Sequence, residues 1–393
     1  MILENLKEAP KDPILSLSAA CKLDSNPNKV DLGIGVYRDE QGITPVMEAI
    51  KLAEARLLEA QTTKAYVGLA GNEAFNQSMI ELMLGDNSSK SRAVGVQTPG
   101  ASGALRMLAD VIKASAPDAT VWLSDLSYAN HAPIMQTAGL TVRYFPYFDR
   151  NTKLVQTDAM MASLKEAGPN DVVLLHGCCH NPTGADLSFD GWQTITEMAV
   201  QQGFLPFIDM AYQGFGDGME ADAKGFRYLA ERVESYVLTG SCSKNFGLYR
   251  ERTGIAVIAA KTLAQSNRIK TRILEAARSS YTMPPDHGAE LVNIILNDET
   301  LKVNWLNEVE QMRLRVDHLR NRLATVLREK SGHSHYDFIA QHKGMFSVLG
   351  ISPLEAQTLS EKYSIYLVGS GRINIAGMQE NHIDYIAESL LSL

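Results

Sequence analysis

Tyr236-Val237-Leu238-Thr239-Gly240-Ser241-Cys242-Ser243-Lys244-Asn245-Phe246-Gly247-Leu248-Tyr249-Arg250-Glu251-Arg252-Thr253-Gly254-Ile255-Ala256-Val257-Ile258-Ala259-Ala260 is the stretch on which the reading of this chain turns. Its two apolar runs, 236–240 and 254–260, have the length and composition of fully buried strands. Lys244 stands at the end of the first, between small hydroxyl residues and a Phe-Gly turn. An ammonium held in a partly apolar crevice is desolvated, so its pKa falls. The neutral amine can then attack a carbonyl and form a Schiff base. The plain alternative is an exposed loop lysine, and Lys244 by itself does not separate the two.

Working outward, the chain alternates. Strands are expected over 93–97, 120–124, 140–145, 171–176 and 205–209, interleaved with helices over 102–113, 131–137, 158–167, 191–202 and 226–233. Such alternation implies an α/β fold, a mostly parallel sheet with helices on both faces. Val172-Val173-Leu174-Leu175 has the unbroken apolar character of a strand buried on both sides. Upstream lie a short helix over 14–23 and a stretch, 30–38, whose Gly33 and Gly35 imply close approach of the backbone to a neighbour. Amphipathic helices follow over 45–60 and 72–84. Downstream, helices are expected over 262–280 and 299–330, the second long, charged and leaving the sheet. The tail reads as a small α+β domain: strand 345–350, helix 352–363, strand 365–368 resuming at 372–375, and helix 382–391. The expected organisation is a segment 1–44 packing with the small domain, a large domain 45–310 and a small domain 311–393.

Composition sets the bounds. Of 393 residues, 45% are hydrophobic and 21% charged, the profile of a globular protein. A net charge of −8 without a dense basic stretch weighs against nucleic acid and anionic membranes as partners. The N-terminal residues lack the basic and apolar regions of a signal peptide, and no apolar run is long enough to span a bilayer. Cys21, Cys178, Cys179 and Cys242 show neither zinc nor disulfide spacing. They read as reduced thiols of a cytoplasmic protein, with no metal site expected.

Other stretches add chemistry. Thr98-Pro99-Gly100-Ala101-Ser102-Gly103 passes from strand to helix through a small-residue turn, where open N–H groups and the Ser102 hydroxyl suit an anion; a ligand-free helix start is the alternative. Asp209 closes an apolar strand at the edge where open α/β sheets place ligands, and it reads equally as a helix cap or as the partner of a protonated ring nitrogen. His176-Gly177-Cys178-Cys179-His180-Asn181-Pro182 holds Asn181 in a stiff turn, and for Asn181 and His180 a turn or core role is the plainer reading. Arg372, in Gly369-Ser370-Gly371-Arg372-Ile373-Asn374, reads as a bidentate carboxylate clamp or an internal salt bridge. Arg278, just before Pro284-Pro285, reads as a second clamp or a solvent-facing helix end. Lysine, strand-edge carboxylate and anion-binding helix start together suit an aldehyde cofactor with a phosphate and a ring nitrogen. That cofactor is pyridoxal phosphate, and an arginine suits its amino-acid substrate.

The lysine stretch, Ser241 to Gly254, resembles the motif of the class I aminotransferases, in the aspartate and aromatic amino-acid branch. The likeness continues in order through Asp12-Pro13-Ile14-Leu15, Leu32-Gly33-Ile34-Gly35-Val36-Tyr37-Arg38, His180-Asn181-Pro182-Thr183-Gly184, Gly344-Met345-Phe346-Ser347 and Gly371-Arg372-Ile373-Asn374, so it covers nearly the whole chain. It implies fold-type I of the pyridoxal-phosphate transferases. By this resemblance Lys244 bonds the cofactor and shuttles the substrate proton. Asp209 pairs with the ring nitrogen, backed by His131, and Tyr212 and Asn181 bond the ring oxygen. Gly100, Ala101, Ser102, Ser241 and Arg252 cradle the phosphate, with Ser243 in support. Arg372 takes the α-carboxylate with Asn181 and Gly35. Arg278 and Tyr66 are implied to come from a neighbouring subunit, Arg278 to the distal carboxylate and Tyr66 to the phosphate, in a homodimer with shared sites.

Three departures bear on specificity. Tyr128 stands where the family has a tryptophan stacked on the cofactor ring; it still stacks and donates one hydrogen bond. Met283 replaces an asparagine near Arg278, and Val67 replaces a proline after Tyr66. The expected activity is transfer of the amino group of tyrosine, phenylalanine or aspartate to 2-oxoglutarate. The alternatives are a strict aspartate enzyme, a pyridoxal-phosphate enzyme of specialised amino-acid metabolism and a non-catalytic cofactor-binding regulator. A nicotinamide oxidoreductase lacks its glycine fingerprint here.

Overall fold

The computed structural model describes residues 2–9 and 11–393; Met1 and Pro10, two positions of the expected 1–44 segment, lie outside the described residues. The strands are β1 (Val30–Asp31), β2 (Ala93–Pro99), β3 (Thr120–Ser124), β4 (Thr141–Phe145), β5 (Asp171–His176), β6 (Leu205–Met210), β7 (Tyr236–Ser241), β8 (Thr253–Ala259), β9 (Phe346–Val348), β10 (Ile365–Tyr366) and β11 (Arg372–Asn374). Seven of them form the central sheet in the order β2-β8-β7-β6-β5-β3-β4. The pairs from β7 through β4 are parallel, and β8 runs antiparallel to both β7 and β2. The reversal has a simple cause. The lysine loop that joins β7 to β8 holds no helix and is too short for the crossover that a parallel neighbour requires.

Alternation along each buried strand divides the core. Val172 and Leu174 face the helices Gly100–Ser115 and Leu263–Ser280, while Val173 and Leu175 face the side covered by Phe189–Gln202 and Met219–Arg232. Two helices depart from expectation. Met219–Arg232 begins well before residue 226, because Glu220, Asp222, Lys224 and a glycine leave its first turns without an apolar stripe. His287–Asn297 was not expected at all; it follows the Pro-Pro break closely and buries Leu291, Val292 and Ile295.

The helix Glu299–Ser331 runs unbroken through residue 310, capped by the Asp298 side chain. Its buried Arg320 donates to the carbonyls of Ile339 and Gly344 and to the Ser347 hydroxyl, which ties the helix to the β9 strand. β9 pairs antiparallel with β11, and β1 pairs parallel with β10. Asn374 N–H also bonds the Leu32 carbonyl at 2.9 Å, so the N-terminal stretch is stitched to the C-terminal strands. The four cysteines are buried and unpaired. No helix among the described residues is long and apolar enough to cross a membrane.

Candidate active site

Strand register gathers the chemistry. His176 of β5 lies opposite Asp209 of β6, and Asp209 opposite Thr239 of β7. Pro99 at the end of β2 lies opposite Thr253 at the start of β8, so the helix Gly100–Ser115 opens at the same sheet edge. The cavity there is lined by Ala101, Ser102, Tyr128, Asn181, Asp209, Tyr212, Ser241, Ser243, Lys244 and Arg252. Ten of the residues singled out in the sequence thus share one cavity. His176 lines it as well, a residue that carried no expected role.

Asp209 is buried and doubly held. His131 Nε2 lies 2.9 Å from Oδ2, and the Thr239 hydroxyl donates to Oδ1 at 2.8 Å. Burial alone would push this carboxyl up. The hydrogen bond and charge of His131, the nearby His176 and the Thr239 hydroxyl outweigh it and hold the pKa below the ordinary carboxylate value. His131 is itself steadied, with Nδ1 at 2.7 Å from the Ser127 hydroxyl. Lys244 shows the opposite balance. Burial, together with the positive Arg252 and Arg372, brings its pKa down to about 8 against the pull of Asp209. Its amine lies 5.5 Å from the Tyr212 ring centre and 5.3 Å from that of Tyr249. The exposed-lysine reading fails here. Tyr212 in turn accepts a hydrogen bond from the Asn181 amide at 3.3 Å.

The other end of the cavity suits an anion. The helix Gly100–Ser115 has Pro99 at its cap and no side-chain capping bond; the Gly100 N–H bonds the Arg252 carbonyl at 2.8 Å, and the N–H groups that follow it are left for an anion. Ser102, Ser241, Ser243 and Arg252 stand around them. Gly100 has φ +69°, and a Cβ there would lie 2.5 Å from Arg252 Nη2, so only glycine lets the guanidinium close over the helix start. Donors at one end, a carboxylate at the other and a lowered-pKa amine between them fit pyridoxal phosphate, with its phosphate, its basic ring nitrogen and its aldehyde.

Arg372 lies beside the cavity. Its Nη2 donates to the Gly33 carbonyl at 2.6 Å, and its Nε is buried without a partner. The guanidinium stacks over the Phe346 ring at 4.5 Å. The internal salt bridge offered as an alternative is absent; among the described residues no carboxylate pairs with Arg372. Phe346 also meets Tyr212 edge-on at 5.9 Å and packs under Gly35, where a Cβ would lie 2.8 Å from its Cζ. Phe346 and Thr239 were passed over as site residues. The Thr239 signal was available, since its strand position matches Asp209 across β6 and β7; the Phe346 ring carries no sequence signal beyond its motif. Tyr66 and Arg278 do not line the cavity of the single chain, and Tyr66 is 89% exposed. The two segments touch each other, with Val67 N–H donating to the Met283 sulfur at 3.2 Å.

Comparison with known proteins agrees with this geometry. The family model for aminotransferase class I and II matches residues 27–390. An aromatic-amino-acid aminotransferase of Paracoccus denitrificans is 42% identical over 100% of both chains, and an aspartate aminotransferase of Salmonella typhi is 40% identical over 100% of both. The structure of an aromatic-amino-acid aminotransferase from Burkholderia pseudomallei, covalently bound to pyridoxal phosphate, superposes with a TM-score of 0.97 at 35% identity, covering 100% of this chain and 99% of that one. With a matching family model over nearly its whole length and full-length relatives at this identity, the chain belongs to the class I and II aminotransferases, which depend on pyridoxal phosphate.

Proposed function

We propose that this chain moves the amino group of tyrosine, phenylalanine or aspartate to 2-oxoglutarate. One observation carries the reading: an amine with a pKa of about 8 shares a cavity with a His131-bound carboxylate and an uncapped helix start. The breadth of substrate rests on relatives of nearly equal identity that bear aromatic and aspartate names.

The site residues then take these parts. Lys244 would bond the cofactor, and its amine, freed when substrate enters, would take the proton from the substrate Cα and deliver it to the former aldehyde carbon of the cofactor. Gly100, Ala101, Ser102, Ser241, Ser243 and Arg252 hold the phosphate. Asp209, kept ionised by His131 and Thr239, holds the ring nitrogen proton. Tyr212 and Asn181 hold the ring oxygen, and Tyr128 stacks on the ring. When bound, pyridoxal phosphate supplies the aldehyde that captures the amino group and the ring that draws electrons from Cα. Arg372, supported on Phe346 and Gly35, clamps the α-carboxylate through its free guanidinium edge. Arg278 and Tyr66 complete the site of a second copy of this chain, whose own pair completes this one. The small part of the molecule, 311–393 with 1–44, closes over substrate bound on 45–310 and excludes water.

The experiment is a transamination assay with phenylalanine, tyrosine and aspartate as donors and 2-oxoglutarate as acceptor. Turnover with both donor classes supports the reading. Turnover with aspartate alone makes the enzyme a strict aspartate aminotransferase.

A further inference from the structure

Asp222 is a buried carboxylate on the helix Met219–Arg232. Its Oδ2 accepts the N–H groups of Gly214 and Gly216 at 2.8 and 2.9 Å, and its Oδ1 accepts that of Asp217 at 2.7 Å. An ionised carboxylate offers about four acceptor positions, so one is left on Oδ1. The groups that meet it are two thiols. Cys178 and Cys179, adjacent and both buried, bring their sulfurs and an Asp222 oxygen within 4.8 Å of one another. Met210 adds a third sulfur, with Sδ 3.6 Å from Cys178 Sγ. Sequence spacing hides the group, because Asp222 comes from a helix far along the chain from the cysteine pair. The group is also within reach of solvent. Cys178 and Asp222 line a cavity of about 400 Å³ whose walls include the exposed Asp217 and Lys224. This cavity differs from the one that holds Lys244, and His176 lines both.

The geometry points to a binding site for a divalent thiophilic ion of the zinc and cadmium class, held by Cys178, Cys179 and Asp222, with its fourth position open to this second cavity. Zinc bonds of about 2.3 Å to sulfur and about 2.1 Å to a carboxylate oxygen set the ligand atoms of a tetrahedral centre a little under about 4 Å apart, so a small shift of the side chains gathers all three on one ion. Two thiolates, with the Met210 thioether beside them, favour such an ion over calcium or magnesium, which take oxygen ligands. The charge balances as well. The thiols are buried beside a carboxylate, a setting that disfavours free thiolates, so without an ion both keep their protons. Binding breaks the two S–H bonds and forms two metal–sulfur bonds, and both protons leave to solvent. Two positive charges depart and two arrive, so the buried site keeps the charge it had.

The test titrates Cd2+ into the cofactor-loaded enzyme. Ultraviolet difference absorption reads cadmium–thiolate bonds, equilibrium dialysis reads stoichiometry, and a pH indicator in weak buffer reads released protons. One ion per chain is expected, with thiolate absorption and two protons released for each ion. Zn2+ is expected to displace the Cd2+, and Mg2+ at the same concentration is not. Cys178→Ser, which exchanges a single atom, is expected to weaken binding about hundredfold or more, since losing even an outer partner of a metal ligand costs up to about that. Asp222→Asn keeps an oxygen in place and is expected to cost about tenfold. Cys21→Ala and Cys242→Ala are expected to bind as the wild type does. The visible cofactor band, measured on each variant, confirms that it has folded. Absence of thiolate absorption in the wild type overturns the proposal. So do equal binding by Cys178→Ser, loss of binding in Cys242→Ala, and displacement of the Cd2+ by Mg2+. The outcome is independent of which amino acids the enzyme accepts, so the proposed function and this site stand or fall separately.

Discussion

Burial and the guanidiniums of Arg252 and Arg372 bring the Lys244 pKa from 10.5 to about 8. Below that pH the amine is protonated in folded and unfolded chains alike. As pH rises from about 8 to 10.5 the folded protein sheds this proton first, so the cofactor-free protein gains stability from Lys244 across that window. In the cofactor-free protein, acylation of Lys244 by an amine-selective reagent is expected to rise with pH to a plateau, with its midpoint at about 8. A midpoint at the ordinary lysine value contradicts the electrostatics. Asp209 makes the matching case for a carboxyl. His131→Asn removes the imidazole bond, so burial then dominates and the Asp209 pKa rises. Spectrophotometric titration is expected to show cofactor bound about tenfold more weakly at neutral pH, with the loss deepening as pH falls. Equal affinity for both proteins over that range counts against Asp209 as the ring partner.

Among elements, the turn from β2 into the helix Gly100–Ser115 is the most constrained. Gly100→Ala places a methyl against Arg252 at a left-handed φ, so Arg252 must swing away from the helix start. The expected result is about tenfold weaker binding of pyridoxal phosphate with little change for unphosphorylated pyridoxal. An equal loss for both ligands would mean that the turn does not hold the phosphate. Much of this scale was legible in the sequence. The apolar runs and interleaved amphipathic helices predicted the sheet, and the strand ends placed Asp209, Asn181 and Lys244 together. The direction of β8 was not legible, because Gly254-Ile255-Ala256-Val257-Ile258 is apolar whichever way it runs; the helix-free loop before it was the clue. His287–Asn297 hid behind the Pro-Pro break. The double hold on Asp209 from His131 and Thr239 depends on register between distant segments, which single-chain patterning does not carry.

For the whole molecule, Tyr66 and Arg278 are both exposed and line no part of the single chain's cavity, the placement that the proposed dimer requires of them. If each copy completes its neighbour's site, inactive Lys244→Ala and Arg278→Ala proteins recover activity when mixed and allowed to exchange subunits. Each hybrid dimer then holds one site with native Lys244 and native Arg278. Mixtures that stay inactive, with exchange verified by mass, would place Arg278 in its own chain's chemistry. The central claim, one site serving aromatic and dicarboxylic amino acids, is tested most directly by rapid-mixing absorbance of the cofactor-loaded enzyme. Each amino acid is added alone, without an oxo acid. The account predicts that the visible cofactor band bleaches with aspartate and also with phenylalanine. Bleaching with aspartate but not with phenylalanine would contradict it.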